Sequence, residues 1–356
     1  MNHHSISGRA TRLLTVSLTV VIASVALVAV LGLPVATAQD AGTATNEEVA
    51  RRFFDELHTA GDLSVAEEII APDAVFHTPD GDLTGPEGIS GLVSVLRSAF
   101  PDAEFPIQDL IVPEDTAVIR WTMNGTHTGD FQTIPPSGNE VSMDGIAIMR
   151  IEDGLIVEHW VQYDRLGLLQ QIGVIPMPQP QATPEAHRGT GDDLAAKDAA
   201  SNEEVARRFF DELHSGGDLA VADEIIAPDA VFHTPDGDFH GPDGISGFTT
   251  VVRTGFPDAE LPIEEMVAIG DTVVVRWTMY GTHQGDLQGI PPSGAEVSMN
   301  GISILRFEDG LIVEEWVEYD RLSLYQQIGV VATPEAETQA DTFEAMSING
   351  VYEDRD

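Results

Sequence analysis

The stretch NEEVARRFFDELH begins at Asn46 and returns at Asn202. EIIAPDAVFHTPDGD at Glu68 returns at Glu224, and EDGLIVEHWVQYDRL at Glu152 becomes EDGLIVEEWVEYDRL at Glu308. The offset is 156 residues throughout, so no insertion or deletion separates residues 46–173 from residues 202–329. Repeats of solenoids and propellers recur every ~20–50 residues. A self-similar block this much longer is a whole duplicated domain, and each copy has to close a core of its own. With 42% apolar residues the chain has the material for two.

Within each copy the apolar spacing predicts helices first and strands after. Thr45-x-x-Glu48 and Ser201-x-x-Glu204 match capping boxes. Val49, Phe53 and Leu57 then recur every four residues, the stripe of an amphipathic helix. Leu63 to Ile70 forms a second helix and AVFHTP a short strand. GPEGISGLVSVLRSAFP holds a third helix, with Pro86 near its first turn. The remaining segments alternate as strands, and Glu152-Asp153-Gly154 makes a hairpin turn between the last two. This order predicts an α+β fold with an antiparallel sheet, twice over.

Three segments lie outside the copies. Arg9 and Arg12 precede an uncharged apolar run from Leu13 to Val35, followed by Ala36-Thr37-Ala38. A basic start, an apolar run and a small-residue cleavage pattern read as a signal peptide over residues 1–38, hence a secreted or extracytoplasmic chain. An uncleaved N-terminal membrane anchor is the competing reading, because the run is long. Residues 174–201 are rich in Pro, Ala, Gly and Asp without apolar period and read as a flexible linker. The tail over 330–356 receives no fold.

The net charge of −42, with Lys197 as the only lysine, argues against binding nucleic acid or anionic lipid surfaces. The absence of cysteine excludes disulfides and thiolate metal sites. The acids of HTPDGD lack the twelve-residue spacing of a calcium loop, so no metal is expected.

Alternate residues of a strand face opposite sides. Trp121, Met123, Gly125 and His127 therefore share one side of their strand. On the last strand Ile156, Glu158, Trp160, Gln162 and Asp164 share one side, and Leu155, Val157, His159, Val161 and Tyr163 the other. Neither face is plainly polar, so both are expected to be covered. The side bearing Trp160 and Asp164 suits a pocket with an apolar wall and one acid.

Three segments, FHTPDG, GTHTGDFQTIPPSGNEV and GIAIMRIEDGLIVEHWVQYDRLGLLQQIG, resemble the SnoaL-like polyketide cyclases, often labelled ester cyclases. The likeness covers nearly the whole of both copies. It implies two tandem nuclear-transport-factor-two-like cone-shaped barrels, each a curved antiparallel sheet wrapped around a deep pocket closed by helices. It also implies an intramolecular aldol ring closure without metal or cofactor, acting on a hydrophobic small molecule. The acid/base aspartate of that family falls on Asp164 and Asp320. An ordinary aspartate, at about 3.9, is a weak base, so such a site has to raise it, and burial against Trp160 acts in that direction.

Other readings stand beside these. Asp164 reads equally as the N-cap of a helix starting near Arg165 or as an ion-pair partner. His77 and His233 suit donation to a substrate oxygen or a structural turn; His127 and His283 suit a substrate contact or the pinning of the following loop. Trp121, Met123, Trp160 and Gln162, with Trp277, Met279, Trp316 and Glu318, are the candidate ligand-binding wall. Replacement of Gln162 by Glu318 and of His159 by Glu315 predicts pockets that differ in ligand. A non-catalytic binding module of the same fold is the alternative to an enzyme. The linker, reaching ~30 Å, lets the copies pair as an intramolecular pseudo-dimer.

Overall fold

A computed structural model describes residues 46–176 and 199–332. The readings for the leader segment 1–38, for Thr45, for most of the linker and for the tail after residue 332 lie outside the described residues. Among the described residues no helix is long and apolar enough to cross a membrane.

Copy one opens with α1, an α-helix over 46–52 that widens into π-helical turns over Phe53–Thr59. The widening is visible where the Ala60 amide reaches back five residues to the Asp55 carbonyl. It brings the adjacent Phe53 and Phe54 inward together with Leu57 and His58, more neighbours than a regular helix turns to one side. Next come α2 (Ser64–Ile69), β1 (Ile70–Thr78), β2 (Gly81–Thr84) and α3 (Gly85–Ala99), with a proline in the first turn of α3. Strands β3 (Ile107–Ile111), β4 (Thr116–Thr126), β5 (Glu140–Glu152) and β6 (Leu155–Tyr163) lead to α4 (Arg165–Gln171). Asp153 and Gly154 both have positive φ, as the tight β5–β6 hairpin requires.

Copy two repeats these elements. They are α5 (Ala199–Arg208, continuing as π-helical Phe209–Ser215), α6 (Ala220–Ile225), β7 (Ile226–Thr234), β8 (Gly237–His240) and α7 (Gly241–Gly255). Then follow β9 (Ile263–Ile269), β10 (Thr272–Thr282), β11 (Glu296–Glu308), β12 (Leu311–Tyr319) and α8 (Arg321–Gln327). Ser201 lies inside α5 and not at its cap.

The sheet of copy one has the order β2-β1-β6-β5-β4-β3. The expectation of a purely antiparallel sheet is corrected here. Strand β1 pairs in parallel with β6, as β7 does with β12, so each sheet is mixed. The reason is a long-range closure: α3 and four strands intervene before the last strand lies down beside the first.

Each sheet has an inner face covered by its helices and an outer face turned to the other copy. The inner core of copy one gathers Phe53, Phe54, Leu57, Phe76, Phe105, Trp121, Met123, Met143 and Met149. On the outer faces Val118, Ile146 and Ile148 of copy one join Val274, Ile302 and Ile304 of copy two in one cluster, with Trp160 and Trp316 packed against it. Two cations complete this seam: the Arg120 guanidinium lies 4.6 Å from the Trp316 ring and that of Arg276 lies 4.7 Å from the Trp160 ring.

Candidate functional site

Inside copy one, β4 and β6 present Trp121, His159 and Tyr163 to the π-helical turns of α1. Phe54 lies 5.9 Å from Trp121, and Phe53 lies 5.5 Å from His159 and 4.5 Å from His58, measured between ring centroids. The indole can lie flat over β5 only because Gly145 is there. A Cβ at that position would stand 2.3 Å from Cζ2 of Trp121. Gly145→Ala is expected to push the indole aside and cost about 1–3 kcal/mol, read as a drop in melting temperature with an altered Trp emission.

The histidines of this interior are neutral. His58 Nδ1 donates to the Phe53 carbonyl at 2.8 Å, and burial lowers the imidazole to about 4. His159 is only 4% exposed; burial above all, with small contributions from His58 and His77, brings it to about 3. Both ring nitrogens of His159 and the indole nitrogen of Trp121 are buried without a hydrogen-bond partner among the described residues. Buried polar atoms are almost always paired, so these three mark a place where a polar ligand atom would be welcome.

Copy two changes this interior. Ser303 stands where copy one has Ala147, Glu315 where it has His159, and Thr249 where it has Val93. Trp277 now donates through Nε1 to Ser303 Oγ at 3.0 Å, and Thr249 Oγ1 lies 3.0 Å from His214 Nδ1. Glu315 is 4% exposed; burial raises its carboxyl to about 7, with the Ser303 hydroxyl and His233 acting against the rise.

The expected ligand wall divides. Trp121, Met123, Trp277 and Met279 lie on the inner faces. Trp160, Gln162, Trp316 and Glu318 do not: they belong to the outer face and the seam, which corrects the pocket assigned to the Trp160 side. A bulge between Ile156 and Glu158 breaks the alternation, so Ile156 turns inward while Trp160 turns outward. Glu318 is buried there, and burial together with Asp164 and Asp144 raises its carboxyl well above the ordinary range.

Asp164 and Asp320 end the last strands and cap the helices that follow. Asp164 accepts from the Gly167 amide at 2.9 Å and from Arg321 of copy two at 2.8 Å. Asp320 accepts from the Ser323 amide at 3.0 Å and lies 3.7 Å from Arg165 of copy one. Burial raises the Asp320 carboxyl above its ordinary value. His77 and His233 are partly exposed on the outer side, stacked on Trp160 and Trp316 and bonded to Asp82 and Asp238, away from the interior.

His127 and His283 pin the PPSG loops. The Ser137 amide donates to His127 Nδ1 at 3.1 Å, which leaves the ring proton on Nε2, buried and without a partner among the described residues. His283 repeats the arrangement with Ser293. No group of three or more side chains suited to a metal ion occurs among the described residues.

The interior groups that the sequence reading did not single out are His58, His214 and Ser303. The adjacent phenylalanines of FFDELH carried the only signal for the histidines. Comparing the copies position by position at Ala147 carried the signal for Ser303.

The family model for SnoaL-like polyketide cyclases matches residues 48–172 and again 204–328. Aklanonic acid methyl ester cyclase DnrD of Streptomyces peucetius is 31% identical over 150 residues, which cover 40% of this chain and 98% of that protein. The corresponding cyclase DauD of Streptomyces sp. (strain C5) is 31% identical over 147 residues, covering 40% and 86%. Among solved structures, TsrD from Streptomyces laurentii shows 30% identity and a TM-score of 0.35, covering 38% of this chain and 99% of its own.

Proposed function

The chain belongs to the SnoaL-like polyketide cyclase family, and from that membership and its apolar interiors we propose a cofactor-independent cyclase or isomerase of enolisable, hydrophobic carbonyl compounds. The observation that carries the reading is the inner face itself: an aromatic wall in which Trp121 and His159 keep buried, unpaired nitrogens for a ligand oxygen. A hydrophobic ligand gains by leaving water, and the few polar atoms fix its orientation. The relatives' named substrate class, an aklanonic acid methyl ester, is the first compound to offer. Its cyclisation by the purified chain, followed by mass spectrometry and NMR, tests the reading; a ligand that binds and leaves unchanged would favour the binding module.

The proposal includes proton transfer by the aspartate at the end of the last strand, the role the family likeness gives it. Asp320, with its raised carboxyl, suits that role better than Asp164, which Arg321 holds at 2.8 Å. Asp320→Asn keeps the helix cap, because Asn caps as well as Asp. The expected result is a 10²-fold or greater loss of turnover, about the weight of a positioned acid/base, with little change in melting temperature. Full turnover would reduce Asp320 to its capping and seam contacts. Export is likewise proposed from residues 1–38, and N-terminal sequencing of chain recovered from the culture medium tests it.

Pairing of the copies as a pseudo-dimer in solution is the third element of the proposal. The aliphatic seam and its two Arg–Trp stacks support it.

A further inference from the structure

We propose that the two interiors have divided the work, with copy two holding the acid–base centre, in which Glu315 moves the proton and Ser303 and Trp277 position its carboxyl, and copy one serving as a receptacle. The inference rests on the carbonyl chemistry proposed above and moves the proton-transfer role from Asp320, which faces Arg165 of copy one, to the buried Glu315 of copy two.

Three buried inner-face positions differ in concert: Val93 against Thr249, Ala147 against Ser303, and His159 against Glu315. A buried polar residue acquired by drift is left unpaired and costs stability. Here each arrives with a partner. Thr249 meets His214, and Ser303 accepts from Trp277 while its own hydroxyl bears on Glu315. The result is a directional chain, indole N–H to hydroxyl to carboxyl, that ends on the one titratable group of the set able to take up a proton. Copy one has no hydroxyl at Ala147, so its indole and imidazole nitrogens stay unpaired.

The surroundings of Glu315 suit the task. The titratable groups around it are His233 on β7, Tyr319 four residues along β12, and His214 on the π-helical turn, the counterpart of the His58 that faces His159. His214 is lowered by burial to about 4 and Tyr319 is raised well above its ordinary value, so both are neutral at pH 7. His233, partly exposed, is raised above its ordinary value by its hydrogen bond to Glu314. A carboxyl at about 7 is present in both forms near neutrality, which is where an acid/base catalyst works best. His159, at about 3, is too weak a base for the same task in copy one.

The step balances without a co-reactant. The carboxylate of Glu315 takes the proton from the carbon beside the ketone. The C–H electron pair becomes the enolate double bond as the carbonyl pair moves onto oxygen. The neutral carboxyl then returns the proton, to carbon in an isomerisation or to the new alkoxide after ring closure.

The test follows exchange of the α-protons of 2-tetralone, an apolar enolisable ketone, for deuterium by NMR with the full chain. Glu315→Gln should lower the exchange rate about 10²–10⁴-fold and remove the inflection near neutral pH, while Glu212→Gln, on the exposed side of the same copy, leaves both in place. Should Glu315→Gln fold poorly, the combined Ser303→Ala and Glu315→His change installs a set that copy one already tolerates, and the same loss is expected. Exchange by the wild-type chain that survives in both variants would overturn the assignment to Glu315 and leave the broader reading standing. A wild-type chain that binds the ketone without exchanging it would overturn both.

Discussion

Acid should unfold copy one before copy two, and pH rising from the carboxyl range through neutrality should weaken copy two first. Copy one buries three imidazoles, and burial lowers His58 to about 4, His159 to about 3 and His127 in the same direction. All lie below the ordinary 6.5, so their contribution is present above that value and is lost as pH falls toward the folded values. Each group costs about 1.4 kcal/mol per pH unit in that window. His58 and His159 alone, over two units, remove roughly 5 kcal/mol, a large share of the ~5–15 kcal/mol that holds a domain folded. Copy two has only His214 on this side, and loses about half as much.

As pH rises above the ordinary carboxyl value of 4.5 the sign reverses. Glu315 and Glu318 are raised above their ordinary value, so their contribution is complete in acid and is lost as pH rises through the folded values. Amide hydrogen exchange resolved by peptide, run from about pH 4 to about pH 9 and corrected for intrinsic rates, reads the two copies separately. His159→Phe should shift the acid transition of copy one downward, since a ring of similar size fits between Phe53 and Phe76. Simultaneous loss of protection in both copies at both extremes would contradict the argument.

The second large effect is mechanical. Ile302 sits in the aliphatic seam, 1% exposed, against residues of the other copy. Ile302→Asp places a charge beside Arg276, whose guanidinium is already held by Glu264 and Glu265 and stacked on Trp160, and a buried charge left without a free partner costs about 3–5 kcal/mol. The cheapest escape is separation of the copies, because it returns the carboxylate to water and leaves both inner cores intact. The maximum dimension in small-angle scattering should grow by up to the ~30 Å reach of the linker. Emission from Trp160 and Trp316 should shift red while far-ultraviolet circular dichroism stays unchanged. An unaltered scattering curve in a folded variant would mean that the seam does not hold the copies together in solution.

Much of this protein was legible from its sequence, and for local reasons. The constant 156-residue offset fixed two domains, the period-four and period-two patterns fixed most helices and strands, and Asp153-Gly154 fixed a hairpin. These signals depend on neighbours within a few residues. The alternation on β6 also separated His159 and Tyr163 from Trp160 and Gln162. Which of the two sets faced inward was not contained in it, because both faces are apolar enough to be buried. Only the tertiary structure decided that, by packing α1 on one face and the second copy on the other. The same long-range closure set β1 parallel to β6 and turned Asp164 toward Arg321, 157 residues away. It also brought Ser303 under the Trp277 indole and beside Glu315, a meeting that no local pattern encodes because the three residues lie on three different strands.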